Sequence, residues 1–149
     1  MGICYALSGI IATIKNERNF RFHLIITNLI IVFAYFYGFT RVEWAILALM
    51  IGLVLSSALL NTAIERTVDT ATCEIRESAK LAKDASAGAV LILAIASIIV
   101  GGFLFGDFQK IADTLTLIFT SPKILIPCLA LGIFDVLFLI FGGKNGKNF

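Results

Sequence analysis

Charge is scarce in this sequence: Lys, Arg, Asp and Glu together make up 15% of its 149 residues, against about a quarter in a water-soluble domain. With 59% hydrophobic residues and a mean hydropathy of +0.97, the chain is too apolar for a soluble globule and belongs in a membrane. Its 12 basic and 10 acidic side chains nearly cancel, which excludes a nucleic-acid binder. Cys4, Cys73 and Cys128 have no paired spacing and no CxxC, so neither a disulfide framework nor a zinc site is supported. His23 is the only histidine, so one chain cannot bring a histidine pair to a metal; at the entry of an apolar run it reads as an interfacial polar group. Neither GxxxxGKS/T nor GxGxxG occurs, so any nucleotide would be held without the usual phosphate cradle. No internal repeat is visible.

What the sequence does have is four apolar runs punctuated by charge. At about 20 residues per crossing, the chain has room for three or four membrane helices. The first run, 22–39, carries no Lys, Arg, Asp or Glu and ends in Tyr35, Phe36, Tyr37 and Phe39, an interfacial aromatic belt. The second spans 44–64 and continues without a breaker into Glu65, with Glu43 and Trp44 anchoring its outer end. The third, 85–106, is rich in small residues such as Ala87, Gly88, Ala94 and Ala96 that let helices approach closely. The fourth, 124–143, contains Pro127 and one carboxylate, Asp135. Residues 2–14 are apolar but too short to span, and they lack the basic start and cleavage site of a signal peptide. They are expected to form an amphipathic surface helix. The fold expected is an all-α integral membrane protein: a surface helix, three core transmembrane helices and an extra C-terminal one. Residues 65–84 are expected as a cytoplasmic loop, and 107–123 as an outer linker with solvated Asp107, Lys110 and Asp113.

Lysine and arginine orient these segments. With the N-terminus cytoplasmic, nine fall on that side (Lys15, Arg18, Arg21, Arg66, Arg76, Lys80, Lys83, Lys144 and Lys147) and three on the other (Arg41, Lys110 and Lys123). At the cytoplasmic boundary, Asn61, Glu65 and Asp69 recur every four residues and line one helical stripe. A solvated helix end, with the acids paired to Arg66 or Lys80, would explain the stripe as well as a site would. Glu17, Lys83 and Asp84 stand at the same boundary, however, and Glu17 and Glu65 could converge at one depth in a bundle. Two carboxylates suit magnesium, which completes its shell with water and phosphate oxygens. A lysine beside them would complete what phosphoryl transfer requires.

The motifs NTAIERTVD at 61–69, AKLAKDASAGAVL at 79–91 and NERNFRFH at 16–23 resemble the prokaryotic diacylglycerol kinase and undecaprenol kinase family over residues 3–106. The resemblance implies a homotrimeric integral membrane kinase of the bacterial cytoplasmic membrane. Its active sites would lie between protomers on the cytoplasmic side and move the γ-phosphate of MgATP onto a lipid hydroxyl, that of diacylglycerol or undecaprenol. It implies that Glu17 and Glu65 bind magnesium, that Asn61 organises the site, that Lys83 and Asp84 hold the nucleotide, and that Tyr5 and Asn16 line the nucleotide pocket. The TAIE form of the motif and its RTVD continuation look more like the undecaprenol-preferring branch.

Three departures stand out. The family's general-base glutamate, three residues before the Asn of NTAIE, is here Ala58, and loss of a general base typically costs about 10²- to 10⁴-fold in rate. Ala58 implies either a deliberately inactivated variant, which the intact remainder of the motifs favours, or a divergent member whose catalysis is lost or rerouted. The basic, aromatic lead-in before the surface helix is absent. The fourth span is additional, and its Asp135 would cost about 2.5 to 3.5 kcal/mol in lipid, so it should face protein or water. Two other readings compete: a membrane protein that binds nucleotide or lipid without turnover, and a small multidrug-type transporter using Asp135.

Overall fold

A computed structural model describes residues 2–71 and 77–143. Cys73, Arg76, Lys144 and Lys147 lie outside the described residues. Six helices follow in order: α1 (Gly2–Asn16), α2 (Arg18–Tyr37), α3 (Arg41–Ala71), α4 (Glu77–Leu104), α5 (Phe108–Thr120) and α6 (Pro122–Phe141), with no strand among the described residues. Of these, α2, α3, α4 and α6 are long and apolar enough to cross a membrane. The chain is thus a helical integral membrane protein.

The surface helix ends where the chain turns into the first span. Glu17 is extended, at φ −110° and ψ 110°, and Arg21, only 5% exposed, folds back to donate from Nη1 to the carbonyls of Ile14 and Lys15 at 3.0 Å each. A guanidinium on the last carbonyls of a helix satisfies acceptors that have no partner within it and suits the negative end of its dipole.

Glycine decides the other end of α2. Gly38 is left-handed at φ 76°, and its N–H donates to the carbonyls of Ala34 and Tyr35. A side chain there would be strained. Two residues on, Thr40 and Glu43 form a capping box for α3: Glu43 Oε2 accepts from the Thr40 N–H at 2.6 Å, and Thr40 Oγ1 faces the Glu43 N–H at 3.4 Å. The N–H and hydroxyl of Thr40 hold this carboxyl, outside the span, below its ordinary pKa. The aromatic belt closes over the turn: Phe39 lies 4.8 Å from Phe105 and 5.8 Å from Trp44 between ring centroids, and Tyr37 lies 5.2 Å from Phe105. Phe105 follows α4, so the belt ties together the ends of three spans.

The helices run further than expected. Within the expected loop at 65–84, residues up to Ala71 continue α3 and those from Glu77 begin α4. Glu65 and Asp69 therefore stay on the stripe begun by Asn61. The most extensive packing is α3 against α4. The expected linker at 107–123 also contains a helix: Asp107 caps α5 by accepting from the Lys110 N–H at 3.1 Å, and Lys110 Nζ sits 4.2 Å above the Tyr37 ring. At 13 residues, α5 is about 20 Å long and too short to span.

The added span lies antiparallel on α2. Asn28 Nδ2 donates to both carboxylate oxygens of Asp135, at 3.2 and 3.0 Å, which gives this buried acid the protein partner that its depth requires. Seven residues before Asn28, the Arg21 guanidinium packs against the turn that follows α6, so close that a β-carbon on Gly143 would meet Nη2 at 2.8 Å. Many large apolar side chains on the spans point outward, among them Leu91, Ile98, Phe103 and Phe134, as expected where lipid or another subunit is the surrounding medium.

Candidate active site at the membrane boundary

Where α3 leaves the bilayer, its polar stripe is fixed by a chain of hydrogen bonds. Asn61 Nδ2 donates to Glu65 Oε1 at 2.9 Å, one helical turn on. The other end of the amide is read by α4: buried Ser86 donates from Oγ to Asn61 Oδ1 at 2.7 Å. The acceptor from Ser86 and the donor to Glu65 assign the orientation of the amide, and one carboxylate oxygen is thereby held in place. Ser86 was not among the residues picked from the sequence. Its signal was its position within AKDASAG, one turn past Lys83, but nothing in one sequence says which way a serine hydroxyl will point.

Glu17 comes to this place from the opposite wall. As the N-cap residue of α2 it makes no side-chain cap hydrogen bond, and its Oε1 instead accepts from Arg66 Nη2 at 2.9 Å and Nε at 3.3 Å. Arg66 stands on α3 beside Glu65, so Glu17 is drawn toward that helix. The ion pairs differ from those weighed from the sequence. Arg66 takes Glu17, Glu65 takes an amide, and Asp69 pairs with Lys83.

Glu17, Ala58, Asn61 and Glu65 all line one cavity of about 260 Å³, with Thr62 and His23. Ala58, Asn61, Thr62 and Glu65 share one face of α3, and Ala58 is buried at 7% exposure, so the position at which the resemblance implies a carboxylate opens into this cavity. The remaining sequence picks lie outside its lining. Tyr5 is 73% exposed on α1; Asn16 is exposed, and its amide donates to the Ala12 carbonyl at 2.8 Å; Lys83 points to Asp69; Asp84 is exposed.

The donor set fits a magnesium ion brought in with a nucleotide. Each of the two carboxylates has one oxygen engaged by a described donor, and magnesium takes one or two carboxylates and fills its shell with water and phosphate oxygens. Among the described residues no group of three His, Cys, Asp or Glu forms an all-protein cage.

A second, larger cavity of about 780 Å³ runs through the apolar zone between α2, α3 and α4, walled by residues such as Ile26, Phe33, Leu47, Val54 and Ala94. Phe22 and His23 line both spaces. A polar, acidic recess at the membrane boundary therefore adjoins an apolar groove at bilayer depth.

Fold and site together define a small polytopic membrane protein with an acid–amide recess where its spans emerge. The chain belongs to the prokaryotic diacylglycerol kinase family, whose sequence profile matches residues 4–105. It is 43% identical over 101 residues to the undecaprenol kinase of Bacillus subtilis strain 168, an alignment covering 68% of this chain and 82% of that protein. It is 44% identical over 101 residues to a diacylglycerol kinase of Synechocystis sp., covering 67% of this chain and 58% of that protein. Identity to the diacylglycerol kinase of Haemophilus influenzae is 35% over 102 residues, covering 68% of this chain and 86% of the relative. No solved structure matches the chain at a significant level. The matched region ends where α4 does, so α5 and α6 lie beyond it.

Proposed function

We propose that this chain is a lipid kinase that transfers the γ-phosphate of MgATP to the hydroxyl of a membrane lipid, diacylglycerol or undecaprenol. The observation that carries the reading is the junction at Phe22 and His23 between the acidic recess and the apolar groove. Such a junction would let a lipid chain lie in the groove while its hydroxyl reaches the recess. The kinase relatives include both lipid names, and the TAIE and RTVD motif forms favour undecaprenol.

In this reading Glu17 and Glu65 would hold magnesium, which would neutralise the charge of the transferring phosphoryl group. Asn61, locked by Ser86, keeps Glu65 turned toward that position. Tyr5, Asn16, Lys83 and Asp84 contact the nucleotide. The pair of Lys83 with exposed Asp69 is worth under about 1 kcal/mol, less than a charge-assisted bond to phosphate, so Lys83 can exchange it for the nucleotide. Tyr5, Lys83 and Asp84 do not line their own protomer's recess, which suits sites completed by neighbouring protomers, as in the homotrimer that the resemblance implies. The nine-to-three distribution of Lys and Arg supports a cytoplasmic site in a bacterial plasma membrane.

Ala58 favours a second reading, a protein that binds MgATP and lipid without turnover. The transporter reading would use a free Asp135, and that carboxylate is engaged by Asn28. A labelled-phosphate transfer assay in lipid, with ATP, magnesium and each lipid in turn, separates the first two. Transfer to one lipid, reduced at least about 100-fold by Glu65→Gln, is the expected result. Nucleotide binding with no labelled lipid, from this chain and from Ala58→Glu alike, would establish the non-catalytic reading instead.

A further inference from the structure

We propose that His23 is the general base of this site, taking the proton of the acceptor hydroxyl where Ala58 leaves no carboxylate to do so. The inference rests on the kinase reading and names the residue that would let it work in this chain.

Among the groups lining the recess, Asn19, Asn61 and Thr62 are not bases. Glu17 has an oxygen held by Arg66 and Glu65 has one held by Asn61, and both are committed to the cation. His23 is the remaining proton acceptor, and its imidazole makes no hydrogen bond or ion pair with any described residue. It is half-buried and stands at the junction of recess and groove, the place from which a lipid hydroxyl would emerge. Phe22 shares that junction and offers no acceptor. The charged groups around it are Glu17 at the start of α2, with Arg66 on it, and Glu65 from α3; α4 presents only Ala87 and Val90 to the recess.

The step balances without a further reactant. A neutral ring nitrogen of His23 accepts the hydroxyl proton as the lipid oxygen bonds to the γ-phosphorus. The bond from that phosphorus to the β,γ-bridging oxygen breaks, and ADP leaves with the electron pair. The imidazolium then passes its proton to water. Histidine ordinarily titrates near 6.5, so the neutral, proton-accepting form predominates around neutral pH. In this account Ala58 marks rerouted catalysis, in contrast to the inactivation that the sequence favours.

The test measures phosphate transfer by the full chain in lipid, for the unsubstituted protein, His23→Gln, Ala58→Glu and the double variant His23→Gln with Ala58→Glu. The unsubstituted protein should transfer phosphate, with a kcat that falls at acid pH along a single protonation. His23→Gln should lower kcat by about 10²- to 10⁴-fold while leaving the KM for ATP within a few-fold, and the double variant should recover activity with its acid limb moved to carboxylate pH. Full activity in His23→Gln, or an unchanged acid limb, would overturn the proposal. So would an inactive unsubstituted chain beside an active Ala58→Glu, an outcome that leaves the kinase reading standing. Absence of transfer from every variant to either lipid would overturn both. If His23→Gln fails to bind MgATP, the pH profile of the unsubstituted chain decides, since a rate without an acid limb in the histidine range excludes the base.

Discussion

Ser86 and Asn61 illustrate how little separates a placed polar group from a loose one. Ser86 Oγ donates to Asn61 Oδ1 at 2.7 Å while Asn61 Nδ2 donates to Glu65 Oε1 at 2.9 Å. Removing the hydroxyl leaves a half-buried carbonyl oxygen without this donor, at about 1 to 3 kcal/mol, and frees the amide to turn its oxygen toward Glu65, where two acceptors repel. Ser86→Ala should therefore lower the thermal midpoint in detergent and reduce the apparent magnesium affinity in a nucleotide-binding titration, while Ser86→Thr, which keeps the hydroxyl, should recover the affinity. A Ser86→Ala protein with unaltered magnesium dependence would place the serine outside the organisation of the site. The stripe of Asn61 and Glu65 was legible because helical spacing alone puts them on one face. Its partners were not: Ser86 and Arg66 reach it across helices, and one sequence carries no record of which distant side chains meet.

At the scale of the element, the spans follow from runs of apolar residues, and their ends from short-range chemistry. The Thr40–Glu43 box and Gly38 fix the turn between α2 and α3, and the aromatic belt at its rim was readable from composition. The continuation of α3 to Ala71, the early start of α4 at Glu77 and the existence of α5 were less so. A polar helix with few breakers looks like a loop when hydropathy is the guide, whereas propensity and packing keep it wound. Asp135 marked α6 as a helix in need of a polar neighbour, and Asn28 answers that need from α2. With two hydrogen bonds to one buried carboxylate, Asn28→Leu should cost about 1.5 to 3 kcal/mol, because it strands the acid. Replacing both partners, Asn28→Leu with Asp135→Leu, should restore most of that loss, since an apolar pair needs no partner in this medium. Thermal unfolding of the two single variants and the double in one detergent gives the coupling directly; strictly additive losses would mean that the pair contributes no interaction.

For the whole molecule, the division of labour follows the family boundary. Both cavities are lined by α2, α3 and α4, with Glu17 added at the recess and Phe105 at the groove, and no residue from α5 or α6 is among their linings, while the family match covers residues 4–105. The added helices instead cover α2, at Asn28 through Asp135 and at Arg21 through the end of α6. A chain ending at Gly106 should thus still fold and bind MgATP, but at a lower thermal midpoint, because Asn28 then faces lipid with no acceptor and Arg21 loses its cover. The sign of one substitution would reverse: Asn28→Leu destabilises the full chain, where it strands Asp135, and should stabilise the shortened chain, where it removes an unsatisfied amide from the bilayer. Thermal melts of the two lengths, with and without the substitution, read this reversal. The same sign in both lengths would mean that Asn28 finds another partner once α6 is gone, and that the added span is more than a cover over the three-span core.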